Sequence, residues 1–445
     1  MLSLSRHPER LRRADNLFPT RGGVPASRPG ARQIIDGPVA RAVPWGNRIV
    51  VERAGRIAVW GGKAISDICQ AGLTLQGESY QAFIGDGQRE DRLYLADGLR
   101  PLWYLADDGD SYRTGYIDNS IRQENNEAYP LEPATTVTSW RDRLFYGDGS
   151  NRIRHCQARD PEAWDPLWTL EFQGRSPGKV VCLRASKSAL LVGLDQGIWT
   201  VTGTSHFNWS RDPLRDGEGV TGPAAIDSDG IEAFFLAKSG LYSLSGSLLT
   251  EDLSPLFSAQ HYGGQVVVDT RRRLVLFLVH GRVFVMHQDK PGVFGELNAS
   301  ALGLLRMDDY VGWYGQDGVW LLQGEDQPDT RTDGAQSDVI SLFETWDHQP
   351  NPSGGSFLSN VKMRLKGSPR GSADYNLKVD GKDAYSASIT LTDSLPSDDV
   401  FRSAEARSVR REVTPWQDGE QFQHSISANC HLEILSFNPA YKGGA

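Results

Sequence analysis

The sequence predicts an all-β protein: a β-propeller of about seven blades followed by a C-terminal β-sandwich-like domain. Three observations carry that prediction. Few stretches show the 3.6-residue apolar period of a helix, while Trp, Tyr, Phe and Gly are plentiful among the 445 residues. One short phrase recurs, an apolar strand that enters a Gly turn and leaves it as a second strand, which is the sequence form of a hairpin. The recurrence is periodic. The turn glycines Gly55, Gly98, Gly149, Gly197, Gly240, Gly281 and Gly318 are separated by 43, 51, 48, 43, 41 and 37 residues, close to the roughly 40–50 of a four-stranded blade.

Residues 1–38 precede the first phrase. They hold Arg6, Arg10, Arg12, Arg13, Arg21, Arg28 and Arg32 against Glu9, Asp15 and Asp36, and their prolines and glycines disfavour long regular structure. This reads as an extended basic arm, suited to docking on an acidic surface or to lying solvated as a tail.

Residues 39–330 hold the seven phrases. The clearest pair runs from Leu190-Leu191-Val192 to Ile198-Trp199-Thr200-Val201 around Gly197, and from Phe234-Phe235-Leu236 to Leu241-Tyr242-Ser243-Leu244 around Gly240. Glycine suits such turns because they often need φ > 0. One small sheet cannot cover both of its faces, whereas stacking around an axis covers them and leaves only short edges. Trp140 and Phe145 are expected to pack between blades, with Trp164 and Trp168 capping the next interface.

The polar run QGEDQPDTRTDGAQSD, residues 323–338, marks the main domain boundary. Residues 331–445 then read as a second β domain, with strands at 361–366, 375–379, 385–392, 409–413, 421–428 and 431–437 and a long loop at 350–356. Phe422, Ile426 and Ala428 share one side of their strand, as period-two alternation requires.

Composition bounds the function. With 47 basic and 56 acidic residues the net charge is −9, which argues against wholesale wrapping of nucleic acid. The four cysteines, Cys69, Cys156, Cys182 and Cys430, form no CxxC pair and read as reduced thiols. No apolar run approaches the 18 or so residues of a membrane span, and the first residues lack the apolar core of a signal peptide.

Motifs for chemistry are weak. Gly61-Gly62-Lys63-Ala64 lacks the upstream Gly and the following Ser/Thr of a phosphate loop. Asp227-Ser228-Asp229-Gly230 has no Glu at the position a calcium loop needs, so a plain turn is expected. His424 and His431 match no zinc spacing, and His155-Cys156 has no third orienting group. No catalytic residue, cofactor or metal ligand is assigned, and the chain is not expected to be an enzyme.

Several pieces of the chain resemble one family. Asn16-Leu17-Phe18-Pro19 followed by Ser27-Arg28-Pro29-Gly30 is similar to the opening of the tail nozzle, or tail hub, proteins of short-tailed bacteriophages. Thr138-Ser139-Trp140-Arg141-Asp142-Arg143-Leu144-Phe145 resembles one of their strands, with Asp142 where Gly is more usual. Asp160 and Trp164, Leu190-Leu191-Val192-Gly193 with Gly197-Ile198-Trp199 and Thr202-Gly203, and Glu218-Gly219-Val220-Thr221-Gly222 resemble later blades. Leu253-Ser254, and Asp418-Gly419-Glu420-Gln421-Phe422-Gln423 ahead of His431-Leu432-Glu433-Ile434, fit as well. None of these pieces is a catalytic signature.

The resemblance implies a structural role in the virion tail, with assembly in the host bacterial cytoplasm. Such proteins form a homo-hexameric ring below the portal and its adaptor, meet tail fibre or tail needle proteins, narrow the DNA channel and help retain packaged DNA until ejection. A channel lined with Asp and Glu would repel phosphate and let DNA slide. Asp107, Asp108, Asp110, Glu325, Asp326 and Asp329 are the candidates for that lining, with solvated turns as the plainer reading. Arg6, Arg10, Arg12, Arg13 and Arg28 are the candidates for docking on a neighbouring subunit or the adaptor. Arg271-Arg272-Arg273 is a second basic cluster and a plausible turn. The competing readings are a propeller-fold carbohydrate-active enzyme, which would need clustered carboxylates or His at a funnel mouth, and a host-surface-binding propeller.

Overall fold

The computed structural model of the chain describes residues 11–19, 25–61, 65–84, 88–107, 112–117, 131–173, 178–250, 253, 263–291, 294–297, 299–323, 329–337, 341–345, 356–367, 372–390, 408–413, 415, 417–419, 421–428 and 432–443. Every regular element among them is a β-strand. Two compact units divide the chain: residues 34–281 with 300–320, and residues 1–33 with 282–299 and 321–445.

The first unit is a series of small antiparallel sheets in chain order. Arg41–Trp45, Arg48–Arg53, Arg56–Trp60 and Ile65–Gln70 form the first module, and Gln76–Ile84, Gln88–Ala96, Trp103–Asp107 and Tyr112–Tyr116 the second. Thr136–Trp140, Arg143–Gly147, Arg152–Gln157 and Asp160–Glu171 form the third; Val180–Ala185, Leu190–Leu194, Gly197–Thr202 and Ser210–Asp216 the fourth. The fifth has three strands, Ile226–Ser228, Ala233–Ala237 and Gly240–Ser243, and a bridge from Tyr242 to Leu248 stands at the fourth position. Gln265–Asp269 and Leu274–Val279 open the sixth module, and Ala301–Met307 and Tyr310–Gly315 the seventh. Small antiparallel sheets of this kind are consistent with propeller blades.

Five of the seven turn glycines fall between the second and third strands of their modules or at the start of the third, and Gly281 and Gly318 follow the second strand of modules six and seven. Six of them have positive φ, from 74° at Gly149 to 152° at Gly240, a region that costs a side chain energy. Gly197 differs. It opens its strand without a left-handed φ, and a Cβ there would sit 3.1 Å from the carbonyl of Arg215.

The first strands of the seven modules neighbour one another in turn, and the seventh returns to the first. Val39 N–H donates to Gly315 O at 2.9 Å and closes the series. Apolar side chains fill the joints. Val43, Trp45, Val50 and Val59 of module one pack with Leu93, Leu95, Trp103 and Leu105 of module two. Tyr94, Tyr104 and Ala106 meet Leu144, Tyr146 and Trp164 across the next joint. Trp140 and Phe145 do pack between modules three and four, with Val180, Leu183, Leu190 and Val192. Each fully buried side chain of this size contributes about 1.5–3 kcal/mol relative to exposure.

In the second unit, the segment read as an extended arm carries three-to-five-residue strands at Leu11–Asp15, Leu17–Pro19 and Pro25–Ser27. Leu11–Asp15 pairs with Phe294–Leu297 in parallel and with Ser341–Thr345 antiparallel; that sheet continues through Phe422–Ala428 and Ser372–Val379 to Lys382–Thr390. Leu17–Pro19 and Pro25–Ser27 form a hairpin whose second strand pairs with Leu432–Gly443, which pairs in turn with Ser356–Gly367. Ser408–Val413 flanks that strand. Side chains of the two sheets meet at His424. Tyr375 Oη lies 2.8 Å from its Nδ1 and Tyr441 Oη 2.6 Å from its Nε2, while Phe422 packs on Tyr441. The expected strands of residues 361–366, 375–379 and 409–413 fall within observed ones, and that of residues 421–428 is observed as Phe422–Ala428. Residues 350–355 of the expected loop and residues 391 and 392 lie outside the described residues.

Candidate functional site

The sequence-predicted positions are spread over different surroundings. Asp108, Asp110, Glu325, Asp326, Arg6 and Arg10 lie outside the described residues. Asp107 ends the third strand of module two and is ion-paired with Arg48 of module one, whose guanidinium lies over the Trp45 ring at 4.7 Å. Arg12 and Arg13 lie in the strand Leu11–Asp15. Arg272 N–H and Nη1 both donate to the Asp269 carboxylate, at 2.9 and 2.8 Å, so this basic cluster is the turn between two strands of module six.

Arg28 and Asp329, expected on a docking surface and in a channel lining, meet each other. Arg28 Nη1 and Nη2 donate to Asp329 Oδ1 and Oδ2 at 2.9 and 2.5 Å, a bidentate pair. Arg28 Nε donates to Asn16 Oδ1 at 3.0 Å and Nη1 to Pro29 O at 2.8 Å, while Asp329 also accepts from Ala31 N–H at 2.8 Å. Asn16 has φ of 54°, donates its N–H to Glu296 O at 2.7 Å and accepts from Arg28 N–H at 2.8 Å. Asn is among the residues that tolerate this left-handed conformation. The side chain of Arg28 is 4% exposed. These residues form a buried clasp that ties residues 16–31 to 296 and 329.

A polar constellation that the sequence reading missed lies on the axis of the first unit. A cavity of about 210 Å³ is lined by residues of all seven first strands, among them Val43, Gly77, Val137, Arg184, Ile226, Val266 and Leu305. It adjoins a second space of about 490 Å³ whose walls include Glu78, Ser139, Arg184, Thr270, Arg306 and Asp308. Asp227 of module five organises the polar end. Its Oδ1 lies 2.5 Å from Arg184 Nη2 of module four, and its Oδ2 lies 3.3 Å from Arg306 Nη1 of module seven and accepts from Val268 N–H of module six at 2.8 Å. Arg306 Nη1 also donates to Ser228 O at 3.0 Å. Opposite, Ser139 Oγ donates to Glu78 Oε1 at 2.5 Å.

Burial pushes the Glu78 carboxyl above its usual range, and the Ser139 hydrogen bond and the positive field of Arg184 and Arg306 oppose it. The Asp227 carboxylate raises Arg184 further above its ordinary value, against the burial that would lower it. The site therefore offers fixed guanidinium groups, a carboxyl that favours its proton, and hydroxyls. The missed signal is positional: Arg184, Asp227 and Arg306 stand 12 or 13 residues before the turn glycine of their module, at or near the end of its first strand.

The motifs weighed for chemistry fold as plain structure. Asp229 Oδ1 accepts from Ile231 and Glu232 N–H at 2.8 and 2.7 Å, which is the turn expected of Asp227-Ser228-Asp229-Gly230. The Cys156 thiol accepts from Leu144 N–H at 3.0 Å and burial pushes it up to about 12, so it is no thiolate partner for His155. His155 approaches Cys156 O through Nδ1 at 3.0 Å and stacks on Trp168 at 5.7 Å and 6°. Burial pushes His155 down to about 4. His431 lies outside the described residues.

No protein-family model matches the chain, and no curated protein matches it. Among solved structures, the computationally designed Ika8 protein is similar with a TM-score of 0.40 and 13% identity, over 66% of this chain and 99% of its own.

Proposed function

We propose that the chain is a structural subunit of a short-tailed bacteriophage tail, the nozzle or hub ring below the portal and adaptor. In this reading residues 39–330 hold a seven-bladed β-propeller and residues 331–445 a sandwich-like domain. Subunits assemble as a homo-hexamer around a channel through which the genome passes without sequence-specific contacts. The reading is supported by the series of small antiparallel sheets whose first strands neighbour one another in turn, together with the resemblance of the opening phrase, which folds into the Asn16–Arg28–Asp329 clasp. The opening phrase through which the chain resembles that family is spent on internal architecture, with Arg28 buried and its hydrogen bonds directed at the chain itself.

A closed ring needs a heterologous interface whose rotation returns to the start. A stiff body of stacked small sheets presents loops on its faces for such contacts. Acidic groups toward the channel keep DNA phosphate from adhering, and the net charge of −9 is compatible with that. Arg6, Arg10, Arg12 and Arg13 are the remaining docking candidates toward a neighbour or the adaptor. Negative-stain imaging of the purified chain, alone and with the adaptor protein, tests the proposal. Sixfold rings are expected; a strictly monomeric particle under both conditions overturns it.

A further inference from the structure

We propose that the axial space bounded by Glu78, Ser139, Arg184 and Arg306 is a binding site for a small oxyanion, a sulfate- or phosphate-like group or a carboxylate. Two guanidinium groups face this cavity from modules four and seven, and one carboxylate, Asp227, holds both. Asp227 engages only Nη2 of Arg184 and Nη1 of Arg306. Ser228 O takes a second bond from the same Arg306 Nη1. The other N–H groups of both side chains have no acceptor among the described residues and belong to side chains that line the cavity. Half-buried guanidinium donors are satisfied by acceptors, and a planar fork fits a carboxylate or a tetrahedral oxyanion with two bonds.

Charges of both signs stand on the walls, and the anion class rests on the guanidinium donors. Arg184, Arg306 and Asp227 together carry one net positive charge. Glu78 stands beside Ser139, and its protonated form adds no negative charge to the carboxylates already on the wall. Asp229, from module five, spends its Oδ1 on the N–H groups of Ile231 and Glu232. Asp308, from module seven, is the other carboxylate on the wall. Burial favours the protonated form of Glu78 as pH falls, so occupancy by an anion and protonation of Glu78 support each other. The space of about 490 Å³ admits an ion or a small acid and excludes a duplex. Sequence gave no warning, because the four side chains come from four modules and share no motif.

Isothermal titration of the full chain tests this, with sodium sulfate and sodium formate as probes, each matched against sodium chloride at equal ionic strength. Both anions stay ionised at pH 5 and pH 8, so a change in affinity reports the protein. Saturable binding of one or both oxyanions is expected, and it should tighten rather than weaken as pH falls. Glu78→Gln should bind at least as tightly as the wild type at pH 8 with less dependence on pH, and Arg306→Gln should weaken binding by about tenfold or more at both pH values. Sulfate alone marks a phosphate-like site, and formate alone a carboxylate site. Absence of saturable heat from both anions in both the wild type and Glu78→Gln overturns the proposal. So does binding that is unchanged across all three proteins.

Discussion

Removing the Asp329 carboxylate should destabilise the chain more than any surface charge substitution, and the structure sets the size. Asp329→Ala takes away both oxygens of a bidentate pair and the acceptor for Ala31 N–H. Arg28, 4% exposed, keeps Asn16 Oδ1 and Pro29 O but loses the Asp329 carboxylate. Breaking one partner of a buried ion pair costs about 3–5 kcal/mol, because the other charge stays buried without compensation. Asp329→Asn keeps an oxygen for Ala31 N–H and should cost about half as much. Arg28→Met combined with Asp329→Leu removes both charges together and should recover most of the loss. Urea denaturation followed by tryptophan fluorescence gives the four free energies of the cycle Arg28→Ala, Asp329→Ala and their double variant. A coupling energy of about 2–3 kcal/mol is expected, and amide exchange should quicken first in residues 25–31. Additive effects, with coupling under about 0.5 kcal/mol, would refute the clasp as the anchor of the N-terminal segment.

Two further outcomes follow from named contacts. His155 is neutral in the fold with its proton affinity pushed down to about 4, against an ordinary 6.5, so the unfolded chain binds more protons between those values. Its stabilising contribution is present above pH 6.5 and is lost as pH falls, amounting to about 2 kcal/mol by pH 5. His155→Phe should therefore show a flatter dependence of urea midpoint on pH; an unchanged slope sinks the assignment. At Gly219 an added Cβ would lie 1.9 Å from the carbonyl of Leu194, a backbone atom that cannot step aside. Gly219→Ala should cost about 2–3 kcal/mol, the range of forced backbone shifts. Differential scanning calorimetry checks it, and a melting temperature equal to the wild type would show that the joint between modules four and five is looser than drawn.

The repeat was legible because a turn with positive φ leaves a mark that single residues can carry: glycine at Gly55, Gly98 or Gly281. The apolar joints were legible for the same reason, since Trp140 and Phe145 recur where small sheets must be covered on both faces. Arg28 was read as a docking base because its neighbours are Pro, Gly and other Arg residues, a composition usual for solvated segments. Its partner stands 301 residues away, so no local pattern could reveal the burial. Asp227 was read as part of a turn. The turn is made by Asp229, and Asp227, two residues earlier, faces the axis. Period-two alternation contains that distinction, but it does not say which side of a short strand looks inward.

The axial constellation shows why the absence of a motif said little about the presence of a site. When repeated modules close into a ring, the ends of their first strands converge although they lie tens of residues apart in the chain. Glu78, Ser139, Arg184, Asp227 and Arg306 come from five different modules. A motif search reads neighbours in sequence, and here the neighbours in space are fixed by closure. That closure rests on contacts such as Val39 N–H to Gly315 O, made only when both ends of the ring have folded. Buried ion pairs add little net stability, since desolvation offsets the attraction. They do, however, penalise any arrangement that separates Asp227 from Arg306, because each charge would then be left without its partner. The polar axis therefore acts on the register of modules five and seven more than on the overall free energy, and an anion held by the same guanidinium groups would reinforce that register.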